Sequence, residues 1–290
     1  MKKKNKINFI AEISSNHNGS IKRSISLINS AKKSGFSSVK FQLFKIEKLF
    51  SKDILEKSKI HQNRKKWELP ISFIKKIHAH CKKINIKFGC TPFYLEAVDE
   101  LKDYVDFFKI SSYEILHKKL IRKCALTRKP LIISTGMATL KEVNDAFNLI
   151  KSTKLKNLTI MHCVSSYPAK LEDANLSIIK TLKSIHKNIG WSDHTVNEQV
   201  INRAIHRWGV KDIELHYDLD GKGFEFKAGH CWLPKEASRL IHNVNQAISS
   251  DGKNIKKPSK SELQDRDWRS DPKDGLRPME KIRKKWKKKK

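Results

Sequence analysis

The feature that most limits what this chain can become is an alternation, repeated eight times, of short apolar runs with longer amphipathic stretches. "INFIAEI" (7–13) precedes a helical pattern at Ile21, Ile25, Leu27, Ile28 and Ala31, and "SSVKFQ" (37–42) follows Gly35, a helix stop. After a long loop, "ELPISFIKKIHAHCKKI" has helix spacing at Phe73, Ile74, Ile77 and Cys81. "IKFGCT" (86–91) then reads as a third strand before the short helix "LEAVDELK", and "VDFFKI" (105–110) as a fourth before a helix near 117–127. "PLIIST" (130–135) is the fifth strand, and Thr139 with Glu142 forms a capping box for "LKEVNDAFNLIKS". "LTIMHC" (158–163), "NIGWSD" (188–193) and "DIELHY" (212–217) complete the set, each with a helix after it, the last opening at Pro234. Eight short strands, each followed by a helix, predict an α/β fold of the (β/α)8 TIM barrel type over residues 1–250. No Gly-rich dinucleotide loop follows the first strand, which disfavours an open doubly wound sheet.

In such a barrel the strand ends at the C-terminal face, with the loops after them, form the active site. Here those ends carry Glu12, Lys40 and Gln42, Thr91, Lys109, Ser134, His162, Ser192 with His194, and Glu214 with His216. One polar strand end is commonplace, whereas a ring at all eight is not needed by a structural barrel. Lys40 and Lys109 sit inside apolar runs and offer point charges to phosphate or carboxylate. Ser112, Ser134 and Ser192 offer hydroxyl donors to the same anion. Glu12 is placed to act as a base or to orient a water, and Glu114 to grip substrate hydroxyls.

"GWSDHT" sets Ser192, Asp193 and His194 side by side. A catalytic triad is excluded, because its members converge in space rather than adjoin in sequence. Neighbours on an extended chain face opposite ways, so Ser192 and His194 share a face and Asp193 turns from it. His194 and His216 end adjacent strands, where neutral imidazoles either share a divalent metal or hydrogen-bond as a pair.

The composition bounds the function classes. No apolar run approaches membrane-spanning length, and Glu12 interrupts the first apolar stretch, against a signal peptide. Five scattered cysteines without a CxxC pair fit a reducing, cytoplasmic setting. Lys+Arg number 61 against 30 Asp+Glu, a net charge of +31. That charge admits a polyanion-binding barrel without catalysis as the reading from another class. Abundant Ile and Asn beside Lys point instead to a surface set by compositional bias, against a nucleic-acid partner.

In order along residues 7–220, "IAEISSNHNGS", "VKFQ", "CTPF", "KISSYEI", "PLIISTGMATLKEV", "HCVSSYP", "GWSDHT" and "IELHYDLD" resemble the motifs of the N-acetylneuraminate (sialic acid) synthase family. Members of that family are barrel enzymes. They condense phosphoenolpyruvate with the open-chain aldehyde of an N-acetylated sugar, aided by a divalent ion, and release phosphate by C–O cleavage. The resemblance implies phosphoenolpyruvate contacts at Lys40, Lys109, Ser112, Ser134, Ser165 and Ser192. It implies sugar contacts at Gln42, Thr91, Glu114 and Tyr167, metal ligands at His194 and His216, and Glu12 beside the reacting centre. The implied cofactor is Mn2+, or Mg2+ or Co2+. The implied aldose is similar to N-acetylmannosamine, and a legionaminic or pseudaminic acid synthase is the alternative.

Two departures accompany the resemblance. The family's Gly-Pro-Asp segment after the eighth strand, whose aspartate contacts the sugar, is replaced by "DGKGFEFKAGHCWLP", where Glu225 or His230 is the candidate to take over that contact. Residues 251–290 form a basic extension with too few apolar residues for the family's antifreeze-like domain, which leaves a homodimer open. Its end, residues 284–290, is expected to be disordered.

Overall fold

The computed structural model describes residues 7–287. Eight parallel strands close into a barrel in sequence order: β1 (Asn8–Glu12), β2 (Ser38–Leu43), β3 (Lys87–Pro92), β4 (Phe107–Ile110), β5 (Leu131–Ser134), β6 (Leu158–Cys163), β7 (Ile189–Asp193) and β8 (Asp212–His216). Closure is made by β1 against β8, with Glu12 opposite His216, so no strand edge is left unpaired. Helices follow each strand and cover its outer face, which is why the strands read as almost unbroken apolar runs. The capping box forms as expected: Thr139 N–H donates to Glu142 Oε2 at 2.7 Å, and Glu142 N–H donates to Thr139 Oγ1 at 3.3 Å. The stretch after β2, expected as a long loop, is instead a run of short helical turns (Ile46–Leu49, Lys52–Lys57, Lys59–Gln62, Asn63–Trp67) before the helix Ser72–Lys83. These turns are too short and too exposed to carry the periodicity that marks a buried helix.

The barrel interior is layered by the two-residue period of its strands. Ile10, Phe107, Ile132 and Met161 form a buried apolar cluster of their own. Two residues further along the same strands come Glu12, Lys109, Ser134 and Cys163, all buried. An apolar plug therefore lies directly beneath a polar layer. Gly89 on β3 makes the plug possible, since a Cβ there would lie 2.1 Å from the Phe107 ring.

The chain divides into two compact units, Met1–Ile248 and Ser249–Lys290. Within the second, the helix Glu280–Lys287 is held by Lys281 pairing with Asp267 at 2.6 Å, Arg283 with Asp274 at 2.7 Å, and Trp286 edge-on to Trp268. Residues 284–287, expected to be disordered, belong to this helix, because Trp286 has an aromatic partner and Lys284 an acidic one in Glu280. Residues 288–290 of that expectation lie outside the described residues.

The plug yields a test of the layering. Gly89→Ala should destabilise the fold by about 1–3 kcal/mol through overpacking against Phe107. Adding Phe107→Leu should recover most of the loss, as read from urea unfolding midpoints. Unchanged midpoints for Gly89→Ala would mean that the ring does not occupy this space.

Candidate active site

The polar layer brings four charged side chains together inside the C-terminal mouth of the barrel. Lys40 Nζ pairs with Glu12 Oε2 and lies 3.8 Å from Glu214 Oε2. Lys109 Nζ pairs with Glu214 Oε1, and Ser192 Oγ donates to that same oxygen at 2.9 Å. Lys40 also donates to Thr91 Oγ1 at 2.9 Å, and Gln42 Nε2 donates to Glu12 Oε1 at 2.9 Å. The four charged side chains are at most 7% exposed, so the cost of burying each charge is offset by its partners.

The shared burial divides the two acids. Burial, and then the nearby Glu214 charge, push the Glu12 carboxyl up to about 7 against the pull of Lys40. Burial opposes ionisation of Glu214 as well, but Lys109 and Lys40 outweigh it and hold that carboxyl down at about 2. Glu214 is thus a fixed anion, while Glu12 can take or give a proton near neutrality.

Beside this network stand three histidines. Burial first, with the neighbouring positive groups, lowers His194, His216 and His230 to about 3, so all three are neutral imidazoles at neutral pH. His194 Nδ1 donates to the Val164 carbonyl at 2.5 Å, which leaves Nε2 as a lone-pair donor. The His194 and His216 rings are 5.2 Å apart between centroids, and those of His216 and His230 are 4.4 Å apart. Glu225 Oε2 lies 3.1 Å from His216 Nδ1 and 3.9 Å from His230 Nε2. His216, Glu225 and His230 can bring one ligand atom each to within 4.8 Å of one another, a mixed N/O donor set suited to a divalent transition ion. His194 lies next to this group rather than within it. Both ring nitrogens of the buried His230 lack a hydrogen-bond partner among the described residues.

The other expected residues are distributed around this centre. Ser112, Ser134, Gln42, Thr91 and Tyr167 line a central cavity of about 50 Å3 with the charged network, His194 and His216. Ser165 does not line it, yet its hydroxyl is buried without a partner. A Cβ at Gly136 would lie 2.3 Å from Ser165 Oγ and 2.4 Å from Ser112 Oγ, so the absent side chain leaves both hydroxyls facing one point beyond β5. Tyr167 stands half exposed at the mouth, its ring 4.4 Å from that of His194 and 4.8 Å from that of His230. Glu114, in the turn Ser112–Glu114, is buried outside the cavity lining, and burial pushes its carboxyl up to about 7. His162, on the opposite face of β6, points away, with Nε2 2.9 Å from the Ala174 carbonyl. A wider recess of about 1050 Å3 opens at the other end of the barrel, lined by strand starts, and carries none of these groups.

Three residues at this centre were named in the sequence without an assigned role. Glu214 stood in the ring of strand ends, and as it precedes His216 by two residues it shares its inward face. Glu225 and His230 lie in a loop with no periodicity to orient them.

Among the described residues no helix is long and apolar enough to cross a membrane. The profile of the NeuB family matches residues 27–256. An N,N'-diacetyllegionaminic acid synthase of Campylobacter jejuni is 36% identical over 269 residues, covering 87% of this chain and 80% of its own. A pseudaminic acid synthase of the same organism is 32% identical, covering 86% and 76%. The crystal structure of an N-acetylneuraminic acid (sialic acid) synthetase from Leptospira borgpetersenii, in complex with citrate, superposes with a TM-score of 0.79 at 29% identity, covering 93% of each chain.

The burial of Glu114 has a measurable consequence. Its carboxyl holds a proton in the fold up to about 7 but loses it in the unfolded chain from about 4.5. The stability it contributes is fully present below 4.5 and is lost as pH rises through about 7. Glu114→Gln should therefore gain stability relative to the parent, on the order of 2 kcal/mol, between those limits and level off above them. Paired thermal melts across pH 4 to about 8 measure it. A difference that does not change with pH would place Glu114 in a solvated setting.

Proposed function

This chain belongs to the NeuB family, and we propose that it condenses phosphoenolpyruvate with an N-acetylated aldose to give a nine-carbon 2-keto sugar acid and phosphate. The observation that carries this reading is the buried Lys40–Glu12–Glu214–Lys109 network, which shares its cavity with serine hydroxyls and the imidazoles of His194 and His216. Two ammoniums and several hydroxyls match a small anion bearing both phosphate and carboxylate. The named activities of the relatives support a sugar acid product.

The chain's residues divide the work. Lys40 and Lys109 hold phosphate and carboxylate, and Ser112, Ser134, Ser165 and Ser192 donate hydrogen bonds to them. Carbon 3 of phosphoenolpyruvate forms a bond to the aldehyde carbon, whose oxygen takes up a proton. Positive charge develops at carbon 2 and is balanced by the fixed anion Glu214. Water then adds at carbon 2, with Glu12, poised near 7, accepting its proton. The C–O bond to phosphate breaks, the electrons of the new hydroxyl form the ketone, and phosphate leaves. A divalent ion held by His194 and His216 would supply Lewis-acid polarisation of the aldehyde oxygen. Gln42, Thr91 and Tyr167 face the aldose from the mouth.

The cavity of about 50 Å3 has room for little more than water, so substrate enters by displacing internal contacts. Lys109 must exchange Glu214 for the incoming anion. The retained network gives no support to a barrel without catalysis.

Phosphate release is the test, with phosphoenolpyruvate, Mn2+ and a panel containing N-acetylmannosamine and a 2,4-diacetamido-trideoxy sugar. Release is expected with at least one aldose and not with phosphoenolpyruvate alone. Lys109→Met should raise the KM for phosphoenolpyruvate by about tenfold to a hundredfold, the range for a hydrogen bond to a charged group. No release with any aldose, or an unchanged KM in the variant, would overturn the assignment.

A further inference from the structure

We propose that the loop after β8 completes the metal site of this chain, with Glu225 Oε2 and His230 Nε2 acting as ligands alongside His216 Nδ1. The inference deepens the metal-assisted reading above and rests on it. A neutral imidazole carries one donor and one acceptor, and burying both without partners costs stability. His230 is 4% exposed, and neither ring nitrogen has a partner among the described residues. A cation accounts for Nε2, since it gives the lone-pair nitrogen its partner. The three ligand atoms lie close enough to share one ion, with Oε2 of Glu225 3.1 Å from one nitrogen and 3.9 Å from the other.

A ligand set needs supporting contacts that hold its members in place. Those contacts come from the loop after β1. Ser14 Oγ donates to the other carboxylate oxygen of Glu225, turning Oε2 towards the histidines. Asn16 Oδ1 accepts from the Glu225 backbone N–H at 2.8 Å, and Asn18 Oδ1 from that of Phe224 at 3.0 Å. Asn16 Nδ2 in turn donates to the Tyr217 carbonyl at 3.1 Å. "SSNHN" thus fixes both ends of the segment that presents Glu225.

The competing account is that Glu225 only accepts a hydrogen bond from His216 and that His230 is a spectator. Direct Mn2+ binding to the substrate-free full chain, by titration calorimetry, separates the two without any turnover. Glu225→Gln and His230→Ala should each weaken Mn2+ by about tenfold or more, the least that loss of even an outer partner of a metal ligand costs. The Co2+-loaded protein should also change its visible ligand-field spectrum on His230→Ala, which a spectator would not cause. Metal-free melting temperatures close to the parent's would confirm that the variants fold. Wild-type affinity and an unchanged Co2+ spectrum in His230→Ala would overturn the ligand assignment and leave the metal-assisted reading standing. A parent chain that binds neither Mn2+ nor Co2+ would overturn both.

Discussion

Two lysines and two glutamates, buried within a few ångströms of one another, set the terms for everything at the barrel mouth. The cost of burying each charge there is offset by its partners. The apolar plug of Ile10, Phe107, Ile132 and Met161 closes the interior below them, so the network meets water only from above. The resulting balance is not symmetrical: Glu214 is locked as an anion while Glu12 stays close to neutrality. Capacity for binding an anion is held in the resting molecule as internal ion pairs. On the proposed reading, an incoming phosphate or carboxylate would compete with Glu214 for charges already in place.

The same contrast explains the chain's excess of basic residues. Lys40 and Lys109 are the buried lysines among the described residues, and no arginine there is buried. Among the described residues the other lysines and arginines lie on partly or fully exposed positions, some paired along helix faces, as Lys141 is with Asp145. Such pairs contribute little and are screened by salt. The two lysines of the polar layer are distinguished from the rest by the apolar runs around them.

That distinction was visible in the amino-acid sequence, and so was the barrel, because strand periodicity is imposed by burial on both faces. Lys40, Lys109, Ser134, Ser192, His194 and His216 were found because each ends an apolar run, and all line one cavity. What the strand pattern could not convey was pairing. It shows which way Glu214 points but not that Lys109 and Ser192 meet it. Glu114 and Ser165 show the limit from the other side: both follow strand ends, yet the turns that carry them bury Glu114 outside the cavity lining and bring Ser165 towards Ser112. The contribution of Glu225 and His230 depends on a loop conformation fixed by residues some two hundred positions away. No local pattern encodes that.

The closure of β1 against β8 places the first loop of the chain over the last. Lys109 and its partner Glu214 are separated by 105 residues, and Ser14 and Glu225 by 211. A nascent or half-folded chain can assemble the inner faces of its early strands, but it cannot own this site. The Lys40–Glu12 pair joins neighbouring strands and Ser192–Glu214 another two, but Lys40 meets Glu214, and Ser14 meets Glu225, only where the first strands face the last. The halves of the network can thus be made locally, and it is closure of the barrel that joins them into one.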